Sequence, residues 1–531
     1  MKHDLLFIIT TVIVFTIFMT SPSYSQVGGL DPTFNDSGRV VTDFNGNYDW
    51  PYGVAIQNDN KILVSGQTRY SSGSIKADFS VARYNSDGSL DQNFGTGGLV
   101  NNHFNTTGAY GSKLAVQDDG KFVIVGFVST SSGNDMAVAR FNSDGSLDTT
   151  FGTAGLVTIH TTDYSGLGDV VIQTDGKILA TGQDDTNDFL VIRLNPDGTP
   201  DMDFGNKGIV LTDYDNRQNT AGSITLQPNG KIIVAGTDFL SSGFEIMIVR
   251  YNSNGSLDTG FGSNGIVIYG VSGNLEGPSD ILLQTDGKIV VGGFTRVGFN
   301  PNKLLLLRYN EDGTPDMNFG NNGVVIEDSP TADNPIIGAI ILQPDNKIIM
   351  AGSLSKESYG GEDHLLARFN SDGSVDNEFG TNGYLVTPNA GTISDAALQN
   401  DGKLVVAGYF MQIPNNFSSL DFSVARYNLG DISTSVQADK NAFPTNFTLE
   451  QNYPNPFNPS TTIEFSIPKQ SFVTLKVYDL LGREVTSLVN KELQSGSYKT
   501  QLNASNLASG IYLYRLNVNG ITQTRKLTVM K

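Results

Sequence analysis

The sequence predicts an all-β protein: a seven-bladed β-propeller followed by a small Ig-like β-sandwich. Two observations carry this prediction. A unit of about 57 residues occurs seven times, and its segments have the alternation and turn residues of strands rather than helices. After the last unit, residues 447–531 contain several short strand patterns that do not follow the repeat, which is typical of a sandwich.

Three sequence anchors define the repeat. The first is Gln-x-x-x-Lys before an apolar run, with the Gln at Gln57, Gln117, Gln173, Gln227, Gln284, Gln343 and Gln399. The second is an Arg, then an aromatic residue or Leu, then Asn, with the Arg at Arg83, Arg140, Arg193, Arg250, Arg308, Arg368 and Arg426. The third is Asp-x-x-Phe, with the Asp at Asp31, Asp91, Asp148, Asp201, Asp258, Asp316 and Asp376.

Each copy holds four strand candidates, which in the second copy are Gly98–Phe104, Ser112–Gln117, Lys121–Val128 and Met136–Phe141. The third of these is a near-continuous apolar run, as expected of a strand covered on both faces. Asp-Gly pairs supply the tight turns between strands. These units resemble the delta-60 repeat family and, more loosely, NHL-type propellers. The resemblance covers about residues 30–428 and implies a propeller without implying any one activity.

The N-terminus is predicted to be a signal peptide, residues 1–25, cleaved between Ser25 and Gln26. The apolar run Leu5–Met19 is too short for a comfortable membrane span, although an uncleaved anchor is the alternative. After cleavage no transmembrane span is expected. The composition fits an exported protein with a net charge of −20 and no cysteine, and such acidity argues against nucleic acid as a partner.

Ring closure is predicted from the incomplete first and last copies. Gly38–Phe44 matches the strand that follows Asp-x-x-Phe but comes without three partner strands, whereas the last copy lacks this strand. We therefore expect Gly38–Phe44 to be the outer strand of the blade formed by residues 392–428, so that residues 26–428 form the propeller. Residues 429–446 lack strand periodicity and are expected to be a linker.

The C-terminal region carries four further motifs. They are Asn452-Tyr-Pro-Asn-Pro-Phe-Asn-Pro459, Val477-Tyr-Asp-Leu-Leu-Gly-Arg-Glu-Val485, Ser509-Gly-Ile-Tyr-Leu-Tyr514 and Arg525-Lys-Leu-Thr-Val-Met-Lys531. Residues 447–531 thus resemble the type A C-terminal sorting domain of the type IX (Por) secretion system. The resemblance implies export by that machinery to the surface of a Gram-negative bacterium of the Bacteroidota or a relative, with the passenger then released or attached to lipopolysaccharide. An ordinary sandwich that binds something is the alternative.

Two repeated features could carry chemistry but have simpler explanations. The seven Arg could form an anion-binding ring, yet the seven Asp supply one structural partner per blade. The Asn-Ser-Asp-Gly turns leave calcium open as an alternative, but they lack the twelve-residue spacing of an EF-hand loop, and no cofactor is expected. Of the four His, His364 occupies a position that is apolar in the other copies, so we expect a packing role.

Function is expected to reside on one face of the disc. The Gln-x-x-x-Lys and Asn-x-x-Gly turns share a uniform face, whereas connections of variable length share the opposite, variable face. The connections predicted on the variable face include the loops Asn45–Tyr52, Thr68–Ala77, Tyr214–Gly222, Phe294–Asn302 and Ser353–Glu362. Their aromatic and Arg residues are the ligand-binding candidates: Tyr48, Trp50, Tyr52, Arg69, Tyr70, Tyr214, Arg217, Arg296, Phe299 and Tyr359.

These features favour a secreted or surface-displayed binding module for a glycan, another polymer or a surface protein, rather than an enzyme. No catalytic or metal residues are predicted. The alternatives are an extracellular polysaccharide-active enzyme, either a glycosidase or a lyase with carboxylates converging in one pocket, and a purely structural surface-layer component. The oligomeric state remains open.

Overall fold

The computed structural model describes residues 28–430 and 448–529, with short gaps at 45–47, 71–75, 105, 132, 162–164, 185–187, 272, 357–361, 413–419, 458–459, 468–470, 479–482, 494–495, 505–506 and 519–520. The predicted cleavage site at Ser25 and Gln26, and nearly all of the predicted linker, lie outside these residues. Contacts divide the chain into two units, Met1–Asp431 and Ile432–Lys531. The described residues contain no helix long and apolar enough to cross a membrane.

The first unit consists of seven antiparallel blades, with strands numbered in chain order. The inner strands are β3 (Tyr48–Ile56), β7 (Gly108–Val116), β11 (Gly166–Ile172), β15 (Asn219–Leu226), β19 (Asn274–Leu283), β23 (Asn334–Leu342) and β27 (Asp395–Leu398). The second strands are β4 (Ile62–Tyr70), β8 (Phe122–Thr130), β12 (Ile178–Gln183), β16 (Ile232–Leu240), β20 (Ile289–Val297), β24 (Ile348–Ser355) and β28 (Leu404–Met411).

The third strands are β5 (Lys76–Tyr84), β9 (Gly133–Phe141), β13 (Phe189–Leu194), β17 (Gly243–Tyr251), β21 (Lys303–Tyr309), β25 (Asp363–Phe369) and β29 (Leu420–Asn428). The outer strands are β6 (Leu99–Asn102), β10 (Leu156–Ile159), β14 (Ile209–Thr212), β18 (Ile266–Tyr269), β22 (Val324–Glu327), β26 (Tyr384–Thr387) and, in blade 7, β2 (Arg39–Thr42). The short strand β1 (Gly29–Leu30) also pairs with β29.

The ring closes as the sequence predicts. Each inner strand contacts the next, and β27 contacts β3 to complete the circle. Strand β2 pairs antiparallel with β29, with Arg39 opposite Ala425 and Thr42 opposite Phe422, which confirms the N-terminal outer strand of the last blade. Because β2 pairs with β29, the last blade has its fourth strand, and the N-terminal and C-terminal parts of the propeller form one blade together.

The inner and third strands extend further than the sequence patterns predict, whereas the outer strands Arg39–Thr42 and Leu99–Asn102 are shorter than the predicted Gly38–Phe44 and Gly98–Phe104. In blade 2 the inner strand begins at Gly108 rather than Ser112, because main-chain pairing with β8 continues beyond the apolar run. The loop prediction for Asn45–Tyr52 is wrong from Tyr48 onward, because β3 begins at Tyr48 and pairs with β4; residues 45–47 lie outside the described residues. A β-bulge lies between Pro51 and Gly53, and the inner strands of other blades are irregular at the same place, as between Leu167 and Asp169.

Every blade contains the same buried ion cluster. The Nε of each repeat Arg lies 2.6–2.9 Å from an Asp carboxylate, in the pairs Arg83–Asp91, Arg140–Asp148, Arg193–Asp201, Arg250–Asp258, Arg308–Asp316, Arg368–Asp376 and Arg426–Asp31. The Lys of Gln-x-x-x-Lys reaches the same carboxylate, as Lys61 does to Asp91 at 3.0 Å. Each guanidinium also lies 4.2–4.8 Å from the centre of the Asp-x-x-Phe ring.

The same Arg ties each blade to the next one. Arg250 of blade 4 donates through Nη1 to the carbonyl of Glu311 in the turn of blade 5, and Arg426 of blade 7 donates to the carbonyl of Ser86 in blade 1. The guanidinium therefore satisfies a carboxylate within its own blade and a carbonyl in its neighbour. This explains why the seven Arg repeat although each is nearly buried.

The second unit is a sandwich of two antiparallel sheets. One contains β30 (Thr448–Leu449), β31 (Ser460–Ile467) and β34 (Gly496–Asn503), and the other contains β32 (Ser471–Tyr478), β33 (Glu484–Leu493), β35 (Gly510–Val518) and β36 (Ile521–Val529). Phe465 of one sheet and Leu475 and Leu516 of the other belong to one buried cluster. Asn452, which opens the first C-terminal motif, is buried and donates to the hydroxyl of Thr461 at 3.0 Å.

Candidate ligand-binding face

The structure brings three of the predicted ligand residues into direct contact at the variable face. Tyr48 and Trp50 of β3 stack with ring centres 5.6 Å apart and an angle of 13° between their planes. The guanidinium of Arg69, at the end of β4, lies 4.8 Å from the Trp50 ring. Arg69 also lies 5.2 Å from the ring of Tyr110 in blade 2, so the cation contacts two blades.

Two residues that the sequence reasoning missed extend this arrangement. Tyr110 stacks on Phe127 with ring centres 4.4 Å apart and an interplanar angle of 15°. We call the five residues Tyr48, Trp50, Arg69, Tyr110 and Phe127 the aromatic–arginine ladder. All five are partly exposed, so the ladder is supported from below by the blades and offers its edges to solvent.

An alignment of the copies on the repeat Gln would have revealed Tyr110. Trp50 and Tyr110 both stand seven residues before that Gln, and the other five copies have no aromatic residue there. The other copies hold Gly166, Thr220, Gly277, Ile336 and Thr392. Seven residues before the repeat Gln, an aromatic side chain occurs only in blades 1 and 2, and this localises the Trp50 and Tyr110 rings to one sector of the disc.

A tyrosine–glutamate group lies next to the ladder. The hydroxyl of Tyr52 accepts a hydrogen bond from Gln67 at 3.1 Å, and burial raises the pKa of Tyr52 while the charge of Arg69 lowers it. Burial raises the pKa of Tyr409 to about 12, and its hydroxyl lies 3.5 Å from Oε1 of Glu362. Burial also raises the pKa of Glu362, whose Oε2 has no hydrogen-bond partner.

The remaining predicted residues do not join the ladder. Tyr70 donates to the carboxylate of Asp78 at 2.8 Å. Arg217 packs over Tyr214 at 5.1 Å in blade 4 and pairs there with Asp215 and Asp238. Arg296 lies in β20, not in the loop predicted for it, and Phe299 is fully exposed after that strand. Tyr359 lies outside the described residues.

A second group that the sequence reasoning missed lies at the axis. Burial lowers the pKa of Lys113 in blade 2, but the negative charges of three Asp raise it more, so that the pKa lies above its ordinary value. These residues are Asp395, Asp169 and Asp280. These carboxylates belong to blades 7, 3 and 5, so only a side chain at the centre of the ring can interact with all three. Lys113 Nζ lies 3.8 Å from Asp395 Oδ1.

The axial carboxylates also fasten neighbouring blades together. Asp395 accepts the backbone N–H of Val54 at 2.8 Å, Asp169 that of Ile224 at 3.0 Å, and Asp280 that of Ile340 at 3.1 Å. The three Asp and Lys113 all stand four residues before the repeat Gln, where the other copies have Gly53, Ser223 and Ala339. Burial raises the pKa of Asp395 to about 6, with Lys113 opposing. The hydrogen bonds indicate a fastening role for this group.

Two other sequence candidates have local partners. In the Asn-Ser-Asp-Gly turn, Oδ1 of Asp144 accepts hydrogen bonds from the backbone and hydroxyl of Ser146 at 2.9 and 2.6 Å, as expected of an Asx turn. His364 is buried, and its Nδ1 lies 2.8 Å from the hydroxyl of Tyr427. Burial lowers the pKa of His364 to about 3, so the ring is neutral at physiological pH.

Both units match known families. Residues 57–94, 117–151, 173–204, 227–261, 284–319, 343–379 and 399–431 match the β-propeller described as a domain of unknown function, DUF5122. Residues 451–530 match the secretion system C-terminal sorting domain. The chain therefore carries a DUF5122 β-propeller repeat region and ends in a type IX secretion sorting domain, which confirms both resemblances. The sorting domain implies export to the cell surface or secretion in Gram-negative bacteria of the Bacteroidota type.

The chain is similar to several solved structures at low identity and with TM-scores below 0.5. A Staphylococcus aureus virginiamycin B lyase with quinupristin is 13% identical, with 73% of this chain and 98% of that chain covered and a TM-score of 0.43. Porphyromonas gingivalis PorZ, a surface component of the type IX secretion system, is 14% identical over 93% of this chain and 61% of its own, with a TM-score of 0.35. An ulvan lyase of family PL25 is 11% identical over 73% and 96%, with a TM-score of 0.40. No curated protein matches the chain significantly.

Proposed function

We propose that the exported protein is a binding module and that its variable face captures a glycan carrying carboxylate or sulfate groups. The observation that carries this proposal is the aromatic–arginine ladder, in which a partly exposed guanidinium lies within 4.8 and 5.2 Å of two aromatic rings. Aromatic rings with a fixed orientation give contact area at low entropic cost, and Arg adds an anion-binding fork.

The positive charge of Arg69, which no described carboxylate pairs with, is the reason to expect an anionic ligand. Among the residues that the structure describes, no carboxylate forms an ion pair with Arg69, and its Nε is buried without a hydrogen-bond partner. Arg217 and Arg296 also have a buried Nε without a hydrogen-bond partner. Among the described residues, Arg69 differs from them in lying against two aromatic rings. A carboxylate or sulfate group would complete its hydrogen bonding.

Blade 4 offers the matched comparison within the same chain. Arg217 packs over Tyr214 much as Arg69 packs over its rings, but Asp215 and Asp238 lie 2.7 and 3.2 Å from its guanidinium. That Arg is already neutralised and has only one ring beside it. We therefore assign ligand binding to blades 1 and 2 and regard the blade 4 pair as structural.

The test is a glycan and polysaccharide binding screen on the purified protein, followed by titration of each hit. The substitutions Trp50→Ala and Arg69→Gln are expected to weaken binding about 30-fold each, the effect of losing about 2 kcal/mol at a central contact. Tyr214→Ala and Arg217→Gln are the matched controls and should leave the affinity unchanged. Far-ultraviolet circular dichroism and melting curves check that each variant folds.

Two outcomes would overturn the proposal. The first is a screen in which anionic polysaccharides bind no better than neutral ones. The second is a hit whose affinity falls with the blade 4 substitutions and not with those in the ladder. A preference for neutral glycans that still depends on Trp50 would retain the ladder as the site and remove the role of Arg69.

A polysaccharide lyase is the second candidate, and the tyrosine–glutamate group favours it. Glu362 has an unpartnered Oε2 and a raised pKa, Tyr409 lies beside it, and Tyr52 interacts electrostatically with both Tyr409 and Arg69. β-Elimination from a uronate needs a base and a cation that neutralises the carboxylate. Incubation with uronate polymers should then yield unsaturated products measured by ultraviolet absorbance, and Glu362→Gln should abolish them. Unchanged polymer size after long incubation would exclude this activity.

A further inference from the structure

Arg296 stands at the same place in blade 5 as Arg69 does in blade 1. Each lies twelve residues after the repeat Gln, near the end of the second strand of its blade. Their strand pairing is equivalent as well, since Arg69 lies opposite Tyr48 and Arg296 lies opposite Leu275 of the inner strand. The other five copies have no Arg at this position and hold Ser129, Asp185, Phe239, Ser355 and Met411. The variable face therefore carries this Arg twice.

These two Arg differ from the others of the propeller in having no oxygen acceptor. Among the residues that the structure describes, neither forms an ion pair or a hydrogen bond, and the Nε of each is buried without a partner. The seven repeat Arg each donate to an Asp, Arg39 donates to a backbone carbonyl at 3.0 Å, and Arg217 pairs with two Asp. Arg69 and Arg296 are both partly exposed, so an acidic group from solvent can approach either guanidinium.

The positions of the two rings that lie beside Arg69 hold Gly277 and Ile336 in blades 5 and 6. A Cβ on Gly277 would lie 2.5 Å from the ring of Phe294, so that ring occupies the space. Ile336 is 48% exposed. Neither position supplies a carboxylate that could neutralise Arg296, and a ligand is the remaining source of one.

The connection that follows Arg296 is fastened to blade 6. The backbone N–H of Asn302 donates to Oδ1 of Asn334 at 2.7 Å, and the side-chain amide of Asn302 donates to the carbonyl of Pro335 at 3.1 Å. These bonds hold the β20–β21 connection against the first residues of β23. The end of β20 that carries Arg296 is thereby held in place, which lowers the entropic cost of binding a ligand there.

We propose that the variable face binds one polysaccharide chain at two places, with one acidic group of the chain at Arg69 and another at Arg296. This inference rests on the proposed function and adds that the ligand is a polymer with repeated acidic groups, rather than a single sugar or a chain end. The two Arg stand on the same face in blades 1 and 5, which blades 6 and 7 separate along the shorter way round the ring. A chain bound at the first Arg presents its other acidic groups to the second at high effective concentration, which strengthens binding.

The test is titration of the purified full chain with two series of oligosaccharides of defined length. Chondroitin sulfate oligosaccharides carry carboxylate and sulfate groups, and oligogalacturonates carry carboxylates alone. Calorimetry should show weak binding of the shortest members and, above a threshold length, an affinity at least about ten-fold higher. Arg296→Gln should remove this gain and leave the affinity for short members unchanged, whereas Arg69→Gln should weaken binding at every length. Arg217→Gln is the matched control and should behave like the parent, because its guanidinium already pairs with two Asp.

The outcomes separate this inference from the proposed function. If neither series binds at any length, the proposed function fails and the inference fails with it. If short and long members bind with equal affinity, or if Arg296→Gln retains the gain with length, only the second contact is refuted. Long chains also offer more copies of the binding unit, but that gain would persist in Arg296→Gln. Where Arg296→Gln lowers the melting temperature, Arg296→Lys keeps the charge without the two-pronged geometry and should lose part of the gain.

Discussion

Replacing Arg250 by alanine tests what holds the blades together. The guanidinium is nearly buried, lies 2.6 Å from Asp258, donates to the carbonyl of Glu311 in the next blade and packs 4.4 Å from the centre of the Phe261 ring. Removal leaves a buried carboxylate with only Lys231, at 2.7 Å, as a charged partner. Breaking a buried ion pair from one side costs about 3–5 kcal/mol, and the remaining Lys favours the lower end.

The expected change in melting temperature follows from the size of the ring. With an unfolding entropy of about 2.1 cal/mol/K per residue over roughly 400 residues, a loss of about 3 kcal/mol lowers the melting temperature by about 4 °C. Calorimetry and urea unfolding of the purified protein measure it. Arg250→Lys keeps the charge without the two-pronged geometry and should fall between parent and alanine variant. Lys499→Ala, at the exposed pair with Glu464, should cost less than about 1 kcal/mol.

The reasoning is refuted if Arg250→Ala unfolds within about 0.5 kcal/mol of the parent, the scatter expected of an ordinary surface substitution. Loss of glycan binding with unchanged stability would have the same consequence. In that case the repeated Arg would be ligand contacts rather than the inter-blade fastening described above.

Three other predictions follow from the ring closure and the buried titratable groups. Deleting residues 26–44 removes β2 and Asp31 and leaves Arg426 without its carboxylate. The truncated protein should be less soluble or unfold in more than one transition. A truncated ring that melts like the intact one would contradict the closure. Burial raises the pKa of each repeat Asp, but hydrogen bonds and the Lys and Arg charges outweigh burial, so that the pKa is lowered overall. The stabilisation from these carboxylates is therefore complete above the unfolded pKa near 3.8 and is lost as pH falls below it. In acid unfolding curves, the repeat Asp should contribute no change in stability between about pH 5 and 7. His364 has a pKa of about 3 in the folded chain against 6.5 in the unfolded chain, so the unfolded chain gains a proton as pH falls through that window and the folded state loses stability. The substitution His364→Phe, which copies Phe79 and Phe189, should reduce this loss. An unchanged slope of stability against pH between about 6.5 and 4 would contradict the assignment.

The architecture could be predicted from the repeat anchors because their side chains mostly pair within one blade. Each Arg stands eight residues before its Asp in six of the blades, so pairing within one blade could be expected from the sequence. Arg426 and Asp31 are 395 residues apart, yet their pairing was also predictable, since the first and last copies lack complementary parts. The contact of Nη1 with the next blade could not be inferred, because it depends on how the blades pack around the axis.

The ladder and the axial group were harder to predict from the sequence, for two physical reasons. Tyr48 and Trp50 were expected in the connection between an outer and an inner strand, but main-chain pairing with β4 extends β3 back to Tyr48, and main-chain pairing leaves no side-chain pattern in the sequence. The axial group of Lys113 with Asp169, Asp280 and Asp395 draws residues from four copies to one point. Only a comparison of the same position across all copies, rather than along each copy, would have revealed it.

The claim that the variable face binds the ligand is tested most directly by hydrogen exchange with and without the glycan found in the screen. We predict slower exchange in the first residues of β3 and β7, from Tyr48 and Gly108 onward, and at the end of β4 near Arg69. The Gln-x-x-x-Lys turns at residues 57–61 and 117–121 should exchange at unchanged rates. Protection confined to those turns, with none around Trp50 and Tyr110, would place the ligand on the uniform face and contradict the account.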